Sequence, residues 1–183
     1  MGVWIRIAGL ALLVMAAIAA PVFVLQTVQQ DREISASIVI STPPERVWQI
    51  LTATHEYPKW NPFIQRITGQ IASGSELSVV MVPPNGAAMT FHPLVLAAEP
   101  GRELRWRGQW LGGGLFDVEH RFLLEQIEKN ATRFTQSEKF SGLLVGKFTS
   151  GLFDKTGIGF SLMNEALKRL AEGKPIEPPQ KLK

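Results

Sequence analysis

The sequence contains no cysteine. No disulfide can staple this chain, no thiolate can serve as nucleophile or metal ligand, and the redox compartment is left open. Charge is scarce and nearly balanced: charged residues make up 19%, with 19 Lys and Arg against 16 Asp and Glu. The basic residues are scattered. Their one small cluster, Arg102, Arg105 and Arg107, reads as a solvated strand face. Nucleic-acid binding needs a contiguous basic surface, so no nucleic-acid partner is expected. There are only three histidines, His55, His92 and His120, and they are far apart. No pair has helical metal-ligand spacing, and no metal or cofactor is expected. Gly-x-Ser-x-Gly, a phosphate-cradling glycine loop and His-Glu-x-x-His are all missing. The hydrophobic content of 45% fits a core-forming chain and excludes a disordered one.

What is present begins with a long apolar run. Residues 7–25, IAGLALLVMAAIAAPVFVL, carry no charge. As a helix rising about 1.5 Å per residue they would reach roughly 28 Å, close to the ~30 Å apolar interior of a bilayer. An N-terminal transmembrane helix is therefore expected. Ala17-Ile18-Ala19 offers a cleavage site for the alternative, a signal peptide, but the apolar run continues past it to Leu25. Arg6 precedes the run, and Asp31, Arg32 and Glu33 follow it. That asymmetry favours a single-pass membrane protein with its domain on the non-cytoplasmic side; after cleavage the product would be secreted or periplasmic. The expected organisation is an anchor and tether over 1–30, one domain over 31–173, and a proline- and lysine-rich tail, KPIEPPQKLK, over 174–183, expected to be disordered.

Within the domain, EISASIVI (33–40) alternates, placing Ile34, Ala36, Ile38 and Ile40 on one strand face. In STPPERVWQILTA, Ser41 or Thr42 is positioned to cap a helix that tolerates Pro43 and Pro44 at its start, with Val47, Ile50 and Leu51 as its apolar stripe. The next stretch, HEYPKWNPFI (55–64), sets Tyr57, Trp60 and Phe63 among Pro58 and Pro62, which forbid a continuous helix. These rings are expected to form a pocket's wall and entrance; the alternative is that they seal one end of the fold. Strand-like runs follow at 63–69, 76–82, 87–98, 102–110, 117–127 and 132–140, with Pro93 implying an edge or bulge in the third of them. From about 151 to 172 the period becomes helical, with Phe160, Met163, Leu167 and Leu170 on one stripe. Successive strands joined by short turns make an antiparallel meander. The class is thus α+β: a curled antiparallel sheet of about seven strands around a long C-terminal helix, enclosing a volume that side chains need not fill.

The patterns PPERVWQILT, YPKWNPFI, EPGRELRWRG, GLFDVEHRFLLE and FTQSEKFSGLL, in that order, resemble the SRPBCC or START-like superfamily, and most of all its polyketide cyclase/dehydrase-type branch. The resemblance covers residues 33–172. It implies a helix-grip fold with a deep apolar cavity between sheet and helix. Members bind lipids, sterols, quinones, polyketides or plant hormones, and a minority are cyclases or dehydratases. The apolar run at 7–25 is not part of the common pattern.

One constellation in the alternation carries chemistry. His120, Gln136 and Glu138 share strand faces with Phe122, Leu124, Phe134 and Phe140, so all of them are expected to point inward, and 117–127 should pair with 131–141 as a hairpin. The functional reading is a polar patch that orients a ligand's oxygen or moves a proton, with His120 and Glu138 as the catalytic candidates. The bland reading is an internally satisfied hydrogen-bond network. The remaining expected ligand contacts are Trp60 and Phe63 in the connector, Met81, Met89, Phe91, Trp106 and Trp110 on the strands, and Phe160 and Met163 on the C-terminal helix. The expected function is membrane-anchored binding of a hydrophobic small molecule, with a cyclase or dehydratase acting in the same cavity as the alternative.

Overall fold

The computed structural model describes residues 31–110, 113–147 and 150–175. The apolar run at 7–25 and nearly all of the tail lie outside those residues. Among the described residues no helix is long and apolar enough to cross a membrane.

The chain opens with strand β1 (Arg32–Ile40), followed by helix α1 (Pro44–Thr52), a 3-10 turn (Thr54–Glu56) and the short helix α2 (Tyr57–Trp60). Strands β2 (Ile64–Thr68), β3 (Ser78–Met81), β4 (Met89–Phe91), β5 (Leu94–Glu99), β6 (Glu103–Trp110), β7 (Phe116–Glu128) and β8 (Ala131–Ser141) come next. A second 3-10 turn (Val145–Lys147) leads to the long helix α3 (Ser150–Ala171).

Strands β1, β8, β7, β6 and β5 form one antiparallel sheet in that order, and β2, β3 and β4 form another. The two are stitched together by a bridge between Glu76 and Leu94 and by amide bonds from Leu77 to Pro93 and from Val95 to Ser75, each 2.9 Å. The segment 75–81 therefore pairs first with β5 and then with β4. Those two strands are halves of one, broken at Pro93, which has no amide hydrogen to offer. So the expectation of about seven strands corresponds to seven positions in the curl, one of which is occupied by two short pieces.

Helix α1 is started differently from the expectation. Its N-cap is Pro43, no side chain caps it, and the amides of Arg46 and Val47 reach back to the Pro43 carbonyl. Neither Ser41 nor Thr42 is the cap because the Pro43–Pro44 pair shifts the helix start past them; the Ser41 amide is instead taken by Glu172 Oε1 at 2.9 Å. In the aromatic connector Tyr57, Trp60 and Phe63 are buried, the Tyr57 hydroxyl donates to the Leu51 carbonyl at 2.8 Å, and Asn61 Oδ1 accepts the amides of Phe63 (2.9 Å) and Ile64 (2.8 Å). Tyr57 and Trp60 meet edge to face at 5.0 Å. The prolines break the helix, and the buried asparagine then ties the broken backbone into a turn. These rings close one end of the fold.

The main core runs from that end to the middle of the sheet and includes Leu104, Trp106, Phe122, Phe134, Phe160, Met163 and Leu167. A second, smaller cluster sits at the other end: Phe116, Phe140, Val145 and Phe153. That end is set by register. Trp110 pairs with Phe116, Val118 with Phe140, and Phe140 with Arg32.

Candidate functional site: a histidine–glutamate pair between two apolar clusters

The register of the β6–β7–β8 ladder places Trp106 opposite His120 and His120 opposite Glu138. The expected hairpin and its inward face are therefore present. His120 is 3% exposed and Glu138 5%. His120 Nδ1 faces Glu138 Oε1 at 3.8 Å, which is ion-pair range and longer than a hydrogen bond. The imidazole is boxed in by rings: it stacks on Trp106 at 5.3 Å, lies 4.4 Å from Phe122, and meets Phe160 edge-on at 5.0 Å. Its other nitrogen, Nε2, is buried and has no hydrogen-bond partner among the described residues.

Gln136 is as buried as expected but does not join this pair. It stands opposite Phe122, and its Nε2 donates to Asn164 Oδ1 at 2.6 Å and to the Phe160 carbonyl at 3.4 Å. Asn164 in turn donates to the Ala36 carbonyl at 3.2 Å. Through its amide nitrogen Gln136 fastens α3 to the sheet. Its Oε1 has no partner among the described residues.

The other expected contacts divide by position. Trp106, Phe122, Phe134, Phe160 and Met163 belong to the main core, where rings fill the space between sheet and helix; Phe122 and Phe134 stack at 6.0 Å. Trp60 and Phe63 lie at the sealed end, Phe63 against Phe160 at 5.9 Å. Phe140 belongs to the second cluster, in contact with Phe153 at 5.0 Å and Phe116 at 5.9 Å. Met81, Met89 and Phe91 are half-buried; Met81 pairs with Met89, and Phe91 with Val79, whose side chain is in the core, so these residues share the inward face. The side chain of Trp110 lies outside what the structure describes. Sequence reasoning missed Phe116, Val145, Phe153 and Asn164. Phe116 continues the alternation of Val118 and His120, and Phe153 is seven residues before Phe160 on the same helical stripe, so both are within reach of periodicity. Asn164 is a polar interruption beside Phe160 and Met163, and that interruption is its signal.

Among the described residues, hollows open to solvent include two beside α3. One, of about 640 Å³, runs between β1 and α3 and is lined by Ile34, Phe153, Ile158 and Leu162 together with Glu33, Asp154 and Glu165. The other, of about 320 Å³, lies among α1, α2 and the end of α3, against Ile50, Trp60 and Leu170. Phe153 is a wall of the first hollow and also a member of the second cluster.

A curled antiparallel sheet closed by one long helix is the helix-grip architecture of START-like proteins. Residues 31–172 match the family described as polyketide cyclase / dehydrase and lipid transport, and the chain belongs to that family. No curated protein matches the chain. Solved structures with the same fold include the ZhuI aromatase/cyclase of a Streptomyces species (14% identity, TM-score 0.62, 78% of this chain and 94% of that one). A START superfamily protein of Mycobacterium smegmatis aligns at 18% identity and TM-score 0.60, over 77% of this chain and 97% of its own. Norcoclaurine synthase of Thalictrum flavum aligns at 10% identity and TM-score 0.58, over 84% and 94%. At such identities the likeness is one of fold.

Proposed function

We propose that the domain binds a hydrophobic small molecule between the sheet and α3, at the end ringed by Phe116, Phe140 and Phe153. The observation that carries this reading is the Nε2 atom of His120, buried among aromatic rings without a partner among the described residues. An unpaired buried polar atom costs about 1–3 kcal/mol, a cost seldom kept without a use. The half-buried Met81, Met89 and Phe91 on the inward face add apolar surface for a guest. So does Phe153, which stands between the second cluster and the neighbouring hollow. A guest burying 300 Å² of apolar surface would gain about 7 kcal/mol before ordering costs, using about 25 cal/mol per Å². The charge-free length of residues 7–25 supports a membrane tether that holds the domain near lipid, on the non-cytoplasmic side.

The test is extraction of the purified full chain with organic solvent and mass spectrometry of the extract. The reading expects an apolar molecule in stoichiometric amount. Copurifying protein with no small molecule would reject it. A second reading, a cyclase or dehydratase, is favoured by one observation, the facing of His120 and Glu138. It requires turnover of a substrate that is lost in both His120→Leu and Glu138→Gln.

A further inference from the structure

The sealed end of the fold has a buried donor of its own: Trp60 is 4% exposed, and its Nε1 has no partner among the described residues. Trp60 also lines the smaller hollow, of about 320 Å³, together with Ile50, Ala53 and Leu170. The helix period builds the side of that hollow formed by α1. Arg46, Gln49 and Ile50 stand three and four residues apart on one face of α1, and Ala53, its C-cap, continues the row. Tyr57, edge to face on Trp60 at 5.0 Å, holds the indole in place. The result is an apolar floor with polar groups at the rim, and a volume at the small end of the roughly 300–1,000 Å³ usual for ligand sites.

Charge selects what such a hollow takes. Glu56, the carboxylate at the rim, is committed: its two oxygens accept from Lys59 Nζ at 2.9 and 2.7 Å, and Oε1 lies 3.2 Å from His55 Nε2. That leaves Arg46, whose guanidinium has no hydrogen bond or ion pair among the described residues. The unpaired charge lining the hollow is thus a cation, and its unpaired buried atom is a donor; both call for an acceptor. The larger hollow has the opposite sign, lined by Glu33, Asp154 and Glu165. We propose that the smaller hollow is a second binding site, outside the interior one, for a small amphipathic carboxylate. Its apolar body, one or two rings in size, lies against Trp60, Ile50 and Leu170, and its carboxylate meets the Arg46 guanidinium, whose paired N–H groups match the two oxygens. This site does not depend on the interior being occupied.

The probes are 2-naphthoate, its neutral amide, and 2-naphthylmethylammonium. Titrated into the nitrogen-15-labelled full chain, 2-naphthoate should shift the Ala53 amide and the Trp60 indole N–H saturably; the indole signal is the one missing from the spectrum of Trp60→Phe. The amide should bind roughly fivefold more weakly, the upper worth of an exposed ion pair, and Arg46→Gln should weaken naphthoate by the same factor. In Arg46→Glu the order should reverse, the ammonium binding better than naphthoate. Arg46 is exposed, so these variants keep the fold, and unchanged signals away from α1 verify it. Excess fluorenone, a flat neutral guest for the interior, should leave naphthoate binding as it was, which separates the two sites. No saturable shift, equal binding of naphthoate and its amide, an affinity unaltered in Arg46→Gln, no reversal in Arg46→Glu, or displacement by fluorenone would overturn the proposal. So would shifts at Ala53 and Trp60 that follow protein concentration with no probe present, because a second copy of the chain would then cover this face.

Discussion

Gly159 lies on the face of α3 that receives Phe63, and replacing it with alanine tests how the aromatic connector is locked to the long helix. A Cβ built at Gly159 would stand 2.8 Å from Phe63 Cγ and closer still to Cδ2 and Cε2. The ring has nowhere to retreat: Phe63 is 1% exposed and sits edge to face on Phe160 at 5.9 Å. Gly157 is the control on the same helix, because there an added Cβ meets only Ile34 Cγ2 at an ordinary 3.6 Å. Gly→Ala within a helix gains about 1 kcal/mol from backbone entropy. Gly157→Ala should keep that gain. Gly159→Ala should lose it to overpacking; so close a clash with a ring that cannot move belongs to the upper half of the usual range, about 2–3 kcal/mol, which leaves the variant about 1–2 kcal/mol below the parent. At about 2–4 °C per kcal/mol for a domain of this size, thermal unfolding followed by circular dichroism should put Gly157→Ala about 3 °C above the parent and Gly159→Ala about 5 °C below it. Adding Phe63→Leu to Gly159→Ala should cost less than the two changes separately, since they share one contact. A Gly159→Ala protein that melts as high as Gly157→Ala would refute the seating of Phe63 against α3.

Other consequences follow from the polar contacts. Asn164→Leu removes the acceptor of Gln136 Nε2 (2.6 Å) and should cost about 2 kcal/mol in urea unfolding; the double change with Gln136→Leu should cost less than the sum of the single ones. Glu172 is held down to about 2 from an ordinary 4.5: its burial alone would raise it, but bonds from Lys174, the Ser41 amide and Lys168 outweigh that. Its contribution should be complete above about pH 4.5 and fade as pH falls toward 2, so the stability difference between parent and Glu172→Gln should shrink over that window. Burial pushes the Tyr57 phenol above its usual range. Since Tyr57 is the one tyrosine in the chain, tyrosinate absorbance on an alkaline titration should appear together with unfolding, and not before it.

Much of the architecture is legible in the sequence, because strand alternation is a local signal. Val118, His120, Phe122 and Leu124 on one strand and Phe134, Gln136, Glu138 and Phe140 on the next share their inward faces, and a turn near Lys129–Asn130 is enough to place His120 opposite Glu138. What local pattern does not encode is which partner wins. Parity groups Gln136 with His120 and Glu138, yet its amide is claimed by Asn164, 28 residues away on α3. The connector shows the same limit. Two prolines near three aromatics read as an irregular surface segment, whereas Asn61 supplies the bonds that let Tyr57, Trp60 and Phe63 turn inward. Pro93 implies an edge or bulge; it breaks one strand into β4 and β5 while its carbonyl still accepts the Leu77 amide. Filling of the interior depends on the meeting of side chains from β6, β7, β8 and α3, which no single segment reveals.

Intermolecular nuclear Overhauser contacts between fluorenone and the full chain test the central claim most directly. The account predicts saturable binding with contacts to the rings of Phe116, Phe140, Phe153 and His120. Contacts confined to the outer hollows, at Ile158 and Leu162 or at Arg46 and Leu170, would contradict it.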